Sequence, residues 1–256
     1  MQRFLAGGLA AWTCSLVAAP AGAQLLDPNV TISTSLTSVA QSSSVSVLDL
    51  GTSGTNGLVS SQPVSFGQGA SAGNITYTGT SGIYSGNVAG VTAAPYTASG
   101  ATTGNYFAAE PKGGIIVEYA TRQQYFGLQW GSVDAYNTLS FYQGNTLVEQ
   151  LTGKTVTTNP NGARDGSNSY WVNLNFGARS GFDSVVFTSS NPAFEFNVVA
   201  YAATTQAITP EAVVAAGDTG KASAVTVPVN AAPIAASPLL ALLVGALRRR
   251  RRPSTA

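Results

Sequence analysis

With no histidine anywhere in the chain, proton transfer would fall to carboxyls, and four of these stand in or beside its most strand-like segments: Glu118, Asp134, Asp183 and Glu195. The lack of histidine removes Ser-His-Asp and Cys-His relays, the commonest zinc ligand and the usual base near neutral pH. Two carboxyls about 5–10 Å apart across a cleft could hydrolyse a glycosidic bond, and a β-sandwich can supply that geometry. A plainer reading of the same residues is structural. Asp134 and Asp183 bond backbone at strand ends, and Glu195, alternating with Phe194 and Phe196, points outward onto a solvated face. The sequence favours this structural reading, so no catalytic residue is assigned and a non-enzyme is expected.

Two further groupings could bind rather than react. Asn159, Asn161, Asp165 and Asn168 place four oxygen-bearing side chains in one loop. Calcium takes about six to eight oxygens, usually including several carboxylates. Here Asp165 alone is charged and the EF-hand spacing is absent. A turn whose Asn and Asp side chains cap their own backbone is preferred, which leaves Asp165 as a residual calcium candidate and no cofactor expected. Trp130, Tyr136, Tyr142, Tyr170 and Trp171 could present flat rings to a sugar, although most such rings pack between sheets. Trp171, beside Asn173 and Asn175, is the ring expected at the surface, with Trp130 the second candidate for a sugar-binding face.

The elements that must position these residues are strands. Segments 30–36, 45–48, 64–66, 74–78, 115–119, 124–130, 137–142, 146–151, 169–176, 182–188 and 193–201 are short, rich in β-branched and aromatic residues, and bounded by turn signals. In SYWVNLNF, Tyr170, Val172, Leu174 and Phe176 share one face, with Trp171, Asn173 and Asn175 on the other. Gln143-Gly144-Asn145 between two such runs predicts a hairpin. Residues 154–158 read as a short strand and 89–106 as a long loop of small polar residues. Strands this short at spacings of about ten residues, with no convincing helix between them, predict an all-β fold: a single antiparallel β-sandwich of jelly-roll type. The domain is expected over residues 24–205, followed by an Ala/Val/Thr-rich spacer over 206–230.

Charge is unevenly placed. Residues 24–230 hold all eleven acidic residues but six basic ones (Lys112, Arg122, Lys154, Arg164, Arg179 and Lys221), giving about −5, whereas the whole chain sums to +1. A nucleic-acid surface needs a basic patch, and this region has none, so no nucleic-acid partner is expected. It also lacks cysteine, since the single Cys14 precedes it. Few charges with abundant Gly, Ser, Thr, Val and Tyr describe an extracellular β protein.

Both ends read as addresses. Arg3 and an apolar stretch precede Ala21-Gly22-Ala23, a small-x-small site before Gln24, the order of a secretory signal peptide over residues 1–23 with cleavage at Ala21, Ala23 and Gln24. At the other end, AAPIAASPLLALLVGAL runs into Arg248, Arg249, Arg250, Arg251 and Arg252. A full membrane span needs about 20 apolar residues. This run is shorter, and Pro233 and Pro238 interrupt its start. The arginines would stay on the cytoplasmic side, giving an exported chain held transiently at the inner membrane by its tail.

This tail, residues 231–252, resembles the PEP-CTERM sorting signal of Gram-negative bacteria: a short proline motif, a hydrophobic helix and an arginine cluster. It departs from the common Pro-Glu-Pro form, having Ala232 before Pro233, Ile234 and Ala235. The segment YFGLQWGSVDAYNTLSFY, with GFDSVVF and AFEF, is similar to a recurrent stretch of exosortase-dependent surface proteins over residues 114–202. The resemblance implies an exosortase-type membrane protease as partner and a tail-anchored precursor that ends at the cell surface or outside the cell. The function expected is that of a non-enzymatic exported surface or extracellular-matrix protein. The alternative is a carbohydrate-binding β-sandwich acting on exopolysaccharide, and a secreted glycoside hydrolase stands third.

Overall fold

The computed structural model describes residues 26–36, 38–53, 55–97, 100–208 and 223–227. The expected signal segment (residues 1–23, with Gln24 after it) and sorting segment (231–252) lie outside the described residues. Among the described residues, no helix is long and apolar enough to cross a membrane.

In chain order the strands are β1 (Thr31–Leu36), β2 (Ser46–Asp49), β3 (Gly57–Ser60), β4 (Val64–Phe66), β5 (Gly73–Thr78), β6 (Gly82–Ser85), β7 (Tyr96–Thr97), β8 (Gly100–Ala101), β9 (Tyr106–Ala109), β10 (Gly114–Gln123), β11 (Tyr125–Trp130), β12 (Asn137–Gln143) and β13 (Thr146–Thr152). After one helical turn, α1 (Gly153–Val156), come β14 (Tyr170–Asn175), β15 (Phe182–Ser189), β16 (Phe194–Ala202) and β17 (Ser223–Thr226). One sheet has the order β1-β14-β11-β16-β9-β6-β3, with β2 also on β16 and β17 on β2. The second has the order β13-β12-β15-β10-β5-β4. Apart from the β12–β13 hairpin, the strands from β9 to β16 pass alternately between sheets. They lie in the orders β9-β16-β11-β14 and β10-β15-β12-β13, which is the double Greek key of a jelly roll. The fold is therefore the all-β antiparallel sandwich that the strand spacing predicts.

Aromatic rings fill the space between the sheets. Phe187 of β15 stacks on Phe196 of β16 at 4.0 Å between centroids, and Trp130 of β11 stacks on Phe194 at 4.3 Å. Phe141, Phe176 and Phe182 close the other end at 4.9 to 5.1 Å from one another. The alternation in β14 acts as read: Val172, Leu174 and the following Phe176 are buried in this core, and Tyr170 packs against it.

The outer face of the first sheet is not bare. Val39, Ala40 and Val45 lie over Tyr125, Ala200 and Ala202. There the Ala40 N–H donates to the Tyr125 hydroxyl at 2.7 Å, and that hydroxyl donates to Asn173 Oδ1 at 2.6 Å. Farther along, Val88, Val91 and Ala94 cover Tyr84, Tyr106, Ala108 and Ala193. Two flaps thus roof a sheet that would otherwise meet water, which is why all six residues of β11 are buried.

Several local expectations are corrected. Residues 154–158 do not form a strand; α1 turns there, with the Thr152 N–H donating to Thr155 Oγ1 at 3.2 Å. The expected loop over 89–106 contains the small β7–β8 hairpin and ends in β9. The spacer expected over 206–230 contributes β17, which pairs in parallel with β2 from Ser223↔Ser46 to Thr226↔Asp49, so the sheet extends beyond residue 205. In β16 the register slips opposite Leu128, where Val198 takes a φ of 51°. A β-branched residue in that region is strained, and such bulges bend a strand and end its pairing. Here β16 leaves β9 after Phe196 and pairs with β2 at Ala200 and Tyr201.

Candidate functional site

An open cleft of about 710 Å³ lies where the second flap meets the β11–β12 connection and the loop after α1. It gathers Asn87, Thr92, Asp134, Tyr136, Arg164 and Glu195 around a floor of small apolar residues. Four chain segments build it: 87–93, 132–136, 161–164 and 192–195. Phe194 and Phe196 of β16 pack inward, so Glu195 between them points outward, as alternation requires. The expected solvated face is wrong for this residue: the flap covers it, and Glu195 is 6% exposed. Its Oε1 accepts the Ala93 N–H at 3.0 Å and the Thr92 hydroxyl at 3.2 Å. Burial pushes its carboxyl up to about 7, opposed by those two donors.

Asp134 is held from below. A Cβ at Gly153 would collide with the Asp134 carbonyl oxygen, and one at Gly162, whose φ is +66°, would collide with the Asp134 carboxylate. The 159–168 loop is laced to the same segment. Asn168 Nδ2 donates to the Val133 carbonyl at 2.7 Å and to Asn161 Oδ1 at 3.0 Å, and the Gly162 N–H donates to Val133 O at 3.0 Å. Burial lifts the Asp134 carboxyl above its ordinary range, opposed by its hydrogen bond with Tyr136. The Tyr136 hydroxyl also lies 3.2 Å from the Pro192 carbonyl it donates to. Arg164 reaches across the cleft, its Nη2 donating to Asn87 Oδ1 at 3.4 Å. Replacing Gly153 with alanine should force the Asp134 backbone to move and lower stability by about 1–3 kcal/mol, as overpacking does. Urea unfolding measures this, and a loss below about 0.5 kcal/mol would mean the Asp134 segment yields freely.

The four carboxyls singled out by sequence thus separate into pairs. Asp134 and Glu195 share this cleft, while Glu118 and Asp183 line a smaller groove on the second sheet. Asp183 is committed there to the β12–β13 turn, both its oxygens accepting the Gly144 N–H at 3.0 and 2.8 Å. The calcium loop is likewise spent on itself. The Asp165 carboxylate accepts the N–H and hydroxyl of Ser167, which hold it below the usual carboxylate range. Among the described residues, no three His, Cys, Asp or Glu side chains converge as a metal site.

The two tryptophan candidates for a sugar-binding face need correction. Trp130 is fully buried under Phe194, with no ring face open to a ligand. Trp171 is half-buried at the edge of the first flap, and its neighbour Asn173 is fully buried, donating to Ser38 O at 3.1 Å. The polar-looking side of β14 is a roofed interface and not a platform.

Glu110 escaped the sequence reading altogether. It is 3% exposed, its Oε1 has no hydrogen-bond partner among the described residues, and burial pushes it up to about 7. Its charge adds to the upward push on Glu195. Asn87, Thr92 and Arg164 were also missed, because nothing in local sequence links residues separated by 77 or 103 positions.

Comparison of the chain with protein-family models, with curated proteins and with solved structures returns no match.

Proposed function

We propose that the chain is a non-enzymatic exported protein of the bacterial surface or extracellular matrix, sorted through its C-terminal segment. The observation that carries this reading is the apolar run ending at Leu247 against five consecutive arginines, preceded by Pro233. The basic cluster resists translocation and leaves the tail in the inner membrane. The Pro233-Ile234-Ala235 region is then offered to an exosortase-type protease. The N-terminal Ala21-Gly22-Ala23 site before Gln24 supports export through a signal peptide. A histidine-free, acidic β-sandwich without cysteine between the two addresses suits passive display outside the cell.

Intact-mass measurement of the protein from its native host, with and without the exosortase, tests this. The expected product lacks about residues 1–23 and is cut near Pro233 only when that enzyme is present. A tail that stays intact in both strains would overturn the sorting reading and leave a tail-anchored periplasmic protein.

A further inference from the structure

We propose that the cleft between the second flap and the 159–168 loop binds an uncharged saccharide chain. This goes beyond the display reading and depends on it only for its setting. The site stands on what converges there. Asp134 presents a carboxylate backed by Gly162 and hydrogen-bonded to Tyr136, with its backbone carbonyl packed on Gly153, and its remaining lone pairs can accept from ligand hydroxyls. Arg164 and Asn87, both exposed on opposite rims, supply donors: the guanidinium fork of Arg164, and Nδ2 of Asn87, whose Oδ1 already accepts the Ala94 N–H at 3.0 Å and Arg164 Nη2 at 3.4 Å. Such a mixture of donors and acceptors fits hydroxyl groups, which do both. The half-exposed ring of Tyr136 and the small apolar floor of Ala89, Val91 and Ala93 offer surface for the C–H face of a sugar ring.

The size and balance of the cleft narrow the ligand. Its volume of about 710 Å³ lies within the roughly 300–1,000 Å³ of small-molecule sites. Being open at the side, it admits a segment of a chain. Two carboxyls face one arginine, with Glu110 buried close enough to raise Glu195, so a polyanion such as a uronic-acid polymer is repelled. The lining lacks a large aliphatic wall, which disfavours a lipid tail.

The full chain, purified in detergent, would be applied to an array of immobilised neutral hexasaccharides and of uronate and sulfated ones. The strongest neutral hexasaccharide would then be titrated by calorimetry. We expect binding to neutral chains alone, weakened about tenfold or more in Asp134→Asn and in Arg164→Ala, since each loses a charged hydrogen bond. Arg164 is exposed, so its alanine variant should melt with the wild type and keeps the test clean if Asp134→Asn does not. Silence across the neutral panel, preference for acidic chains, or unchanged affinity in Arg164→Ala would overturn the proposal. None of these results bears on tail processing, which the mass measurement decides separately.

Discussion

Replacing Phe187 with alanine is expected to cost about 3–5 kcal/mol of stability, a large share of the roughly 5–15 kcal/mol that holds a typical domain folded. Phe187 belongs to β15 in the second sheet but makes its main contacts with the first. Its ring stacks on Phe196 at 4.0 Å with 12° between planes, and meets Phe194 at 5.7 Å and Phe126 at 6.3 Å. Those three sit on β16 and β11, so removing the ring opens a void between layers where strands paired on both sides cannot collapse into it. The cost then combines the lost transfer free energy with an unfilled cavity. Guanidinium unfolding should show a lower midpoint with an unchanged slope. Leu58→Ala, at a side chain 52% exposed on β3, is the control and should change stability by no more than about 0.5 kcal/mol. If Phe187→Ala costs no more than that control, the stacked interface between the sheets is not as described.

That contrast also marks what the sequence made legible. β14 could be read residue by residue because its inward side is apolar and its outward side polar, even though the first flap covers Asn173. Strands buried on both faces lose that signal. Gly82–Ser85 and Tyr106–Ala109 have all four residues buried, and neither stood out as a strand. The second flap reads as a small polar linker, since Val88, Val91 and Ala94 act only by packing on Tyr84, Tyr106, Ala108 and Ala193, which the fold brings together. The same blindness misplaced Glu195 and Asn173, whereas Trp130 lies on the inward face of its strand, in the core between the sheets. Alternation gives the direction of a side chain correctly but says nothing of what lies over it. The jelly-roll class could be inferred from strand spacing, whereas the strand order and the parallel docking of β17 could not, because SAVT has no partner visible in its own neighbourhood.

Stability is expected to fall as pH rises from about 4.5 to about 7, and to level off above that, because of Glu195. Its carboxyl stands near 4.5 in an exposed reference and is pushed up to about 7 in the fold. A raised carboxyl means the folded state binds its proton more tightly than the unfolded state, so stability declines with pH between the two values. Below about 4.5 both states are protonated and there is no penalty. Above about 7 both are ionised, and the fold bears the whole cost of a charge buried beneath the flap, on the order of 3 kcal/mol. Glu110, also pushed up to about 7 by burial, contributes in the same direction. Glu195→Gln removes the charge but keeps an oxygen to accept the Ala93 N–H and the Thr92 hydroxyl. It should therefore raise the melting temperature at pH 8 by several degrees and change it little at pH 4.5. Thermal melts of wild type, Glu195→Gln, Glu110→Gln and the double variant across this range measure the effect. The double variant should have the flattest profile, since each charge raises the cost of the other. A wild-type profile that climbs toward pH 8, or a Glu195→Gln profile parallel to it, would mean that the flap leaves this carboxylate open to water. The burial that creates the pH dependence is the same burial that turns an outward-facing strand residue into a wall of the cleft.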